Sequence, residues 1–310
     1  MFTIGIDVGG THIRAAAVDA DGRIFRARRA PTPRNGDGLV DWIALAVRQI
    51  QEEAERGVAS AVGLALPGIL DAKCASLIRS VNLPFLEGRP IREELAGRTG
   101  LAVTVLPDAD AATWGEYSVL IPPPACFIHL RLGTGVACGI VAEDQLRPTD
   151  PDRNTHWRVL VVDDRPGATF CSCGLRGCLE TIASGLAIEQ RATSLGCRGG
   201  LAELQSAWER SEPSARMLIE DIANAIASAI GNLKSQISDR LVVCLGGGVV
   251  QVLPCILGKT EERLHSLRDS APGGVALIPA RLGDDAGVIG AGLLAAVVSP
   301  RWGLRNRGNR

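Results

Sequence analysis

Three cysteines and a glutamate stand close together in the segment CSCGLRGCLE, which spans residues 171–180. Cys171, Cys173 and Cys178 place three possible thiolate ligands within eight residues, and Glu180 follows shortly after them. Zinc prefers such ligands in a tetrahedral arrangement, so one further ligand would complete a structural zinc site. The three cysteines could instead be buried free thiols, or form a disulfide in an exported protein.

His156 is the candidate for the fourth ligand. The chain has four histidines, and His156 is the one nearest to the cluster, fifteen residues before Cys171. The remaining cysteines are scattered among apolar residues, where cysteine behaves as a small core residue. A metal is therefore predicted at the cluster alone.

Glycine-rich turns follow three segments that have the composition of buried strands. They lie at residues 9–10 after FTIGIDV, at 133–135 after FIHLRL and at 246–248 after RLVVCL. Without a Cβ atom in the way, backbone N–H groups at such turns can approach phosphate oxygens, although a tight hairpin alone explains each turn equally well. The first two turns stand in similar hairpins, which predicts two related lobes that hold a polyphosphate between them. The chain lacks both the P-loop motif and an opening dinucleotide motif.

Two aspartates occupy positions suited to phosphoryl transfer. Asp7 lies just before the first glycine turn, where a carboxylate could hold Mg²⁺, although a strand-end turn residue would explain it too. Asp108 lies between a predicted strand and a predicted helix, and a helix N-terminus favours the ionised carboxylate. It could accept a proton from a substrate hydroxyl that attacks a phosphoryl group. An ordinary helix N-cap, or Asp110 as the acid instead, stays open.

Composition excludes several classes of partner. The 310 residues include 46% hydrophobic residues, which is enough for two lobes. The net charge of −1 gives no field that would attract nucleic acid or an anionic membrane. Met1 leads directly into an apolar strand, and no apolar run reaches membrane-spanning length, so we expect a cytoplasmic protein.

Strands and helices alternate along the chain, which predicts an α/β fold. Apolar residues recur every three or four positions over 218–237, which predicts a long amphipathic helix. A proline run at 121–125 is the expected crossing between lobes.

The glycine turns, the aspartates and the cysteine segment, taken in order, resemble the ROK family (repressor, open reading frame, kinase) of the sugar kinase, actin and Hsp70 superfamily. The segment CSCGLRGCLE, followed by TIASG, is similar to the family signature CxCGxxGCxE, and the similarity covers residues 1 to about 298. Further motifs stand in the family's order: DVGGTHIR, LPG, PDADAATWGE, LGTGVACG, LGGGVV and LGDDAGVIGA.

The resemblance implies two ribonuclease-H-like lobes with a cleft between them. We expect an N-terminal lobe at 1–120 that is completed by the C-terminal helix 285–298, and a C-terminal lobe at 121–284 that carries the zinc-binding insertion. The basic tail 299–310 is expected to be disordered. The resemblance also implies a possible homodimer.

The resemblance further implies an ATP- and Mg²⁺-dependent sugar kinase in which Asp108 is the catalytic base and Asp7 lies near Mg²⁺. The structural Zn²⁺ would be held by His156, Cys171, Cys173 and Cys178. Positions that match the ATP and phosphate motifs are Asp7, Gly9, Gly10, Thr11, Arg14, Gly133, Thr134, Gly135, Gly246, Gly247 and Gly248. Positions that match sugar contacts are Gly68, Asp108, His156 and Glu180.

Some residues depart from the family pattern. Pro107 stands where an asparagine usually precedes the catalytic aspartate, and Arg153 stands where a glutamate usually precedes the zinc-binding histidine. The interval between His156 and Cys171 is longer than usual by about five residues, so an insertion could displace His156, or another residue could complete the metal site. These changes predict intact phosphoryl transfer with an altered sugar preference. The alternative is a noncatalytic or degenerate family member that acts in sugar sensing or regulation. A repressor is not expected, because the first phosphate hairpin opens the chain.

Overall fold

The structure is a computed structural model that describes residues 1–54, 57–71, 73–147, 160–163, 165–171, 173–238, 240–267 and 274–298. His156, Arg153 and the tail 299–310 lie outside the described residues. The described chain forms two compact units, one built from described residues within 1–123 and from 284–298, the other from described residues within 124–283. The helices in this part of the chain are all too short or too polar to cross a membrane.

In the described part of the chain, the first unit contains seven strands and four α-helices. In chain order they are β1 (Phe2–Val8), β2 (His12–Val18), β3 (Ile24–Pro31), α1 (Gly36–Glu53), β4 (Ala59–Leu66), β5 (Ile69–Leu70), β6 (Leu77–Arg79), α2 (Ile91–Thr99), β7 (Ala102–Pro107), α3 (Asp108–Ser118) and, from the end of the chain, α10 (Ala286–Val298).

The main sheet of this unit has the strand order β3-β2-β1-β4-β7. Antiparallel hairpins join β1, β2 and β3, whereas β4 and β7 run parallel to β1. A separate two-stranded ribbon pairs β5 with β6.

Side chains of β1 alternate between two apolar environments. Ile4 and Ile6 belong to the core that packs against α1, whereas Gly5 faces α10. Because neighbouring residues of a strand point to opposite faces, Asp7 shares the α10 face with Gly5. Without side chains at Gly5 and Gly63, the backbone of α10 lies directly on β1 and β4.

The second unit repeats this sheet pattern. Its elements in chain order are β8 (Cys126–Leu132), β9 (Val136–Ala142), β10 (Gln145–Leu146), α4 (Glu180–Ala183), α5 (Gly185–Ser194), α6 (Gly200–Glu209), α7 (Pro213–Ile237), β11 (Leu241–Gly246), α8 (Gly248–Val252), α9 (Cys255–Leu267) and β12 (Val275–Pro279). The strand order is β10-β9-β8-β11-β12, with three antiparallel strands followed by two that run parallel to β8.

The amphipathic helix predicted over 218–237 is the larger part of α7, which spans 25 residues. Its apolar stripe is buried in the core of the second unit. The stripe consists of Leu218, Ile222, Ile226, Ile230 and Leu233.

Candidate functional site

In the first unit, three parallel strands end at the same edge of the sheet. Asp7 in β1 is level with Ala65 in β4, which is in turn level with Leu106 in β7. Asp108 follows β7 as the first residue of α3. Since neighbouring strands lie about 4.8 Å apart, the ends of β1 and β7 are separated by roughly 10 Å at this edge. Both predicted acidic residues therefore lie at the carboxyl edge of the sheet, which is where α/β sheets bind ligands.

The Asp7 side chain lies against the first turn of α10. A Cβ atom placed on Gly287 would come within 2.7 Å of the Asp7 carboxyl carbon. Glycine at this position therefore leaves the space that the carboxylate occupies. The N-terminal end of a helix carries a partial positive charge, which stabilises a nearby carboxylate.

Asp108 begins α3, and its Oδ1 accepts a hydrogen bond of 2.9 Å from the Ala109 backbone N–H. Pro107 is the N-cap and makes no side-chain capping bond. Asp108 is half-buried, whereas Asp110 is only 1% exposed. Of the two acids, Asp108 thus has the more accessible side chain.

The first glycine turn is held by its own hairpin and by the end of β3. The Gly9 N–H donates to the His12 carbonyl at 2.8 Å, and the Thr32 hydroxyl donates to the Gly9 carbonyl at 2.7 Å. A Cβ atom on Gly10 would lie 3.2 Å from the Asn82 side-chain Cγ, and Thr11 is exposed.

Arg14 forms an ion pair with Asp284 and also donates to the Asp284 carbonyl at 2.9 Å. This contact ties β2 to the residues that precede α10. Asp284 was not among the predicted site residues, although it belongs to the motif LGDDAGVIGA that supported the resemblance.

Gly68 occupies a turn directly after β4. Its φ of +135° is one that other residues rarely adopt, and a Cβ there would lie 2.4 Å from the Arg79 carbonyl oxygen. The Ser80 hydroxyl holds the turn by donating to the Pro67 carbonyl at 2.6 Å. Ser80 is a supporting residue that the sequence did not single out.

In the second unit, two of the predicted glycine turns lie side by side. The 133–135 turn follows β8, and the 246–248 turn follows its parallel neighbour β11. Gly247 has φ +95°, and a Cβ there would lie 2.2 Å from the Leu132 carbonyl oxygen. The Gly185 N–H donates to the Gly133 carbonyl at 2.7 Å, so the start of α5 reaches the same place.

His129 lies beneath the 246–248 turn. It is 4% exposed, and a Cβ on Gly246 would lie 3.5 Å from its Nε2 atom. Burial lowers the pKa of His129 to about 3, with a smaller effect of the same sign from Arg131, so the imidazole is neutral near pH 7. Apart from the rarity of histidine, no local pattern in the chain points to this residue.

The cysteine cluster predicted from spacing is brought together. The Sγ atoms of Cys171, Cys173 and Cys178 all lie within 4.8 Å of one another, and those of Cys173 and Cys178 are 3.5 Å apart. Four thiolates at about 2.3 Å from a zinc ion stand about 3.8 Å from each other, so the three sulfurs fit such an ion. Burial raises the pKa of the Cys171 and Cys178 thiols, and a bound cation would offset this effect.

Glu180 connects the cluster to a glycine turn. Its Oε2 accepts a hydrogen bond of 3.0 Å from the Val136 N–H, directly after the 133–135 turn. Its Oε1 lies 3.6 Å from Cys171 Sγ. The predicted sugar contact therefore also touches the predicted phosphate hairpin.

A model of the ROK family matches residues 3–297. The chain belongs to the ROK family. It is 32% identical over 304 residues to an N-acetylmannosamine kinase of Citrobacter koseri, with 95% of this chain and 99% of that protein covered.

Solved ROK structures have the same fold. A ROK hexokinase from Thermus thermophilus is similar with a TM-score of 0.84 and 29% identity, covering 95% of this chain and 98% of that one. A ROK family glucokinase from Streptomyces griseus, solved with glucose and AMPPNP, is similar with a TM-score of 0.75 and 28% identity, covering 95% and 99%. The predicted family and the α/β fold of the sugar kinase, actin and Hsp70 superfamily are confirmed.

Proposed function

We propose that this ROK protein transfers the γ-phosphoryl group of ATP to a hydroxyl of a sugar, with Mg²⁺ bound to the nucleotide and Asp108 as the general base. The protein is a carbohydrate kinase. The observation that best supports the finer assignment is the placement of Asp7 and Asp108 at one edge of the first sheet.

Asp108 is assigned the proton transfer because it is the more accessible acid at the start of α3. A carboxylate within hydrogen-bond reach of the acceptor hydroxyl takes up its proton as the oxygen attacks phosphorus. The hydrogen bond from the Ala109 N–H to Oδ1 orients this carboxylate at the edge of the sheet.

Asp7 is assigned to the nucleotide-bound Mg²⁺, which neutralises charge on the phosphate oxygens when it is bound. Gly10 and Thr11 are assigned to offer backbone N–H groups to phosphate in the first unit, and residues 134–135 and the 246–248 turn to do so in the second. The Gly9 and Gly133 N–H groups already donate within their own hairpins. Arg14 is assigned a supporting role here, since its guanidinium already pairs with Asp284.

The zinc assignment rests on Cys171, Cys173 and Cys178, whose sulfurs have the spacing that one ion requires. His156 is proposed as the fourth ligand and lies outside the described residues. Such an ion would have a structural role, because it would cross-link the segment that precedes Glu180. Three cysteines that are not joined in disulfides fit a reducing, cytoplasmic location.

The substrate is proposed to be a hexose or an N-acetylated hexosamine, with Gly68, Glu180 and His156 among its contacts. The curated relative acts on N-acetylmannosamine by its name, and the Streptomyces griseus structure contains glucose. Pro107 has no side-chain hydrogen-bonding group to offer next to Asp108, so we expect a sugar preference that differs from that of a typical glucokinase.

The decisive test replaces Asp108 with asparagine. Asp108→Asn keeps the size of the side chain and loses the base, so we expect ADP release to fall by about 10³-fold or more while nucleotide affinity stays within about threefold. ADP release would be measured with MgATP across glucose, mannose, N-acetylglucosamine and N-acetylmannosamine. Asp41→Asn, at an exposed position of α1, is the matched control.

The result of this assay distinguishes a sugar kinase from a noncatalytic sugar sensor. Turnover that depends on Asp108 supports the proposed kinase and identifies the sugar. If wild-type protein binds nucleotide but turns over none of these sugars, the proposal fails in favour of a noncatalytic role in sugar sensing.

A further inference from the structure

The Glu180 carboxylate fills the space beside the tip of the β8–β9 hairpin. Its Oε2 accepts the Val136 N–H at 3.0 Å. A Cβ atom on Gly135 would lie 2.6 Å from the same oxygen, and Glu180 is the one described residue beyond the chain neighbours of Gly135 that comes within 4 Å of that position. Glycine at 135 therefore leaves room for this carboxylate. The hydrogen bond fixes the backbone at the end of the turn, because a charged acceptor makes a stronger bond than a neutral one.

The cysteine cluster lies directly beside Glu180. Cys178 precedes Glu180 by two positions, and Cys171 Sγ is 3.6 Å from Oε1, the oxygen that does not bind Val136. Gly177, between the clustered cysteines, is packed so closely that a Cβ there would overlap the Asp163 carbonyl oxygen at 1.6 Å. The carboxylate is thus held between the cluster on one side and the hairpin on the other.

A second contact joins the same segment to the other side of the turn. The Gly185 N–H donates to the Gly133 carbonyl at 2.7 Å, and Ser184 caps α5 by accepting from the Ala187 N–H at 3.2 Å. Within the hairpin itself, the Gly133 N–H donates to the Gly135 carbonyl at 2.9 Å. Residues 180–185 therefore hold the 133–135 turn at both of its ends, in addition to the hydrogen bond within the hairpin.

We propose that Glu180 is a positioning residue for the nucleotide, in addition to any contact with the sugar. It holds the 133–135 turn in the form that presents backbone N–H groups to phosphate, and it makes nucleotide affinity depend on the cysteine cluster. The inference rests on the proposed kinase function. It differs from a sugar-contact role because it predicts an effect on nucleotide binding when no sugar is present.

The test measures the Kd of MgADP and MgAMPPNP by titration calorimetry without sugar. Glu180→Ala removes the acceptor for the Val136 N–H, and we expect affinity to fall by about tenfold. Glu180→Gln keeps an amide oxygen that can accept the same bond, so its affinity should stay within about threefold of wild type. A residue that only contacts sugar would leave the affinity unchanged in both variants, and that result overturns the inference.

A second variant disturbs the contact between Glu180 and the 133–135 turn by a change in the hairpin. Gly135→Ala places a methyl group where the carboxylate lies, so nucleotide affinity should fall by a similar factor. In Glu180→Ala/Gly135→Ala the clash is gone, and we expect a loss no larger than that of Glu180→Ala alone. Additive losses would instead show that the two residues act independently, which overturns the inference. Gly231→Ala, in α7 with open space around it, is the matched control.

The outcomes separate this inference from the proposed function. If wild-type protein binds neither nucleotide, the kinase proposal and the inference both fail. If wild type binds nucleotide and the variants bind equally well, the inference alone fails. Thermal unfolding of each variant is measured alongside, and Gly135→Ala provides the test if Glu180→Ala does not fold.

Discussion

At the residue scale, the candidate site depends on glycines that make room for charged groups. Gly287 is the clearest case, because its missing side chain leaves the space taken by the Asp7 carboxylate. Gly287→Ala should stabilise the α10 helix itself, by up to about 1 kcal/mol of helix propensity, and at the same time displace Asp7. We therefore expect kcat/KM for MgATP to fall about tenfold or more, without a large drop in Tm.

Steady-state kinetics and thermal unfolding of Gly287→Ala would check this prediction. Gly97→Ala in α2 is the control, because a Cβ at that position meets no atom of the described residues within 4 Å. Wild-type kinetics in Gly287→Ala would argue against a role for Asp7 at the place where the structure puts it.

Site residues with a recognisable local sequence pattern could be predicted from the sequence. Contacts between residues that are far apart in the sequence could not. Asp7 and Asp108 were predicted because each lies at the end of a predicted strand, and strand ends can be recognised in a sequence. The partnership of Arg14 with Asp284 joins residues that are 270 positions apart. The contact of Glu180 with Val136 spans 44 positions. Neither has a local signal.

At the element scale, segments with strong periodicity were predicted and weakly patterned ones were missed. The hairpins β1–β2 and β8–β9, the long helix α7 and the terminal helix α10 all have clear apolar patterns. In contrast, β3 contains three arginines and is an edge strand with little burial. The short α2 buries only Ile91 and Leu95, so it has no amphipathic signal. Both depend on tertiary contacts for their stability.

The cysteine knuckle, residues 171–178, is held by hydrogen bonds within its turn and to the chain before it; the Gly177 N–H, for example, donates to the Thr169 carbonyl at 2.9 Å. Its turn is closed by the Cys171 N–H to the Leu175 carbonyl at 2.7 Å and by the Gly174 N–H to the Cys171 carbonyl at 3.0 Å. A bound zinc ion would add to the stability of the knuckle by joining its three cysteines. We predict about one zinc per purified chain, and Cys173→Ser, which removes an exposed ligand, should lose the metal and lower Tm.

Metal analysis would measure the zinc content per chain, and thermal unfolding with and without a strong chelator would measure the effect of the metal on Tm. Cys255→Ser is the control, since Cys255 lies outside the cluster and a serine can still donate to Gln205. A native wild-type preparation that is fully folded and free of metal would refute the zinc assignment.

At the scale of the whole molecule, the chain builds two units with the same strand pattern and separate cores. The last described helix, α10, belongs to the first unit rather than to the second, which precedes it along the chain. Two lobes could be predicted because the glycine hairpins recur in the sequence. The fit of α10 on β1 and β4 depends on backbone contacts at Gly5 and Gly63, and a sequence does not show which surfaces those glycines leave open.

The packing of α10 on β1 and β4 predicts that removing the C-terminal helix destabilises strands near the start of the chain. A chain shortened to residues 1–283 lacks α10, so the α10 face of β1 and β4 is left without its packing partner. Exposing that face costs several kcal/mol, because Val288, Ile289 and Ala291 are buried and their partners become exposed. We expect backbone amides of β1 and β4 to lose hydrogen-exchange protection, while those of β8 and β11 keep most of theirs. A chain ending at 298 retains α10 and is the control. Equal protection of β1 in both shortened chains would show that the first unit folds without its C-terminal helix.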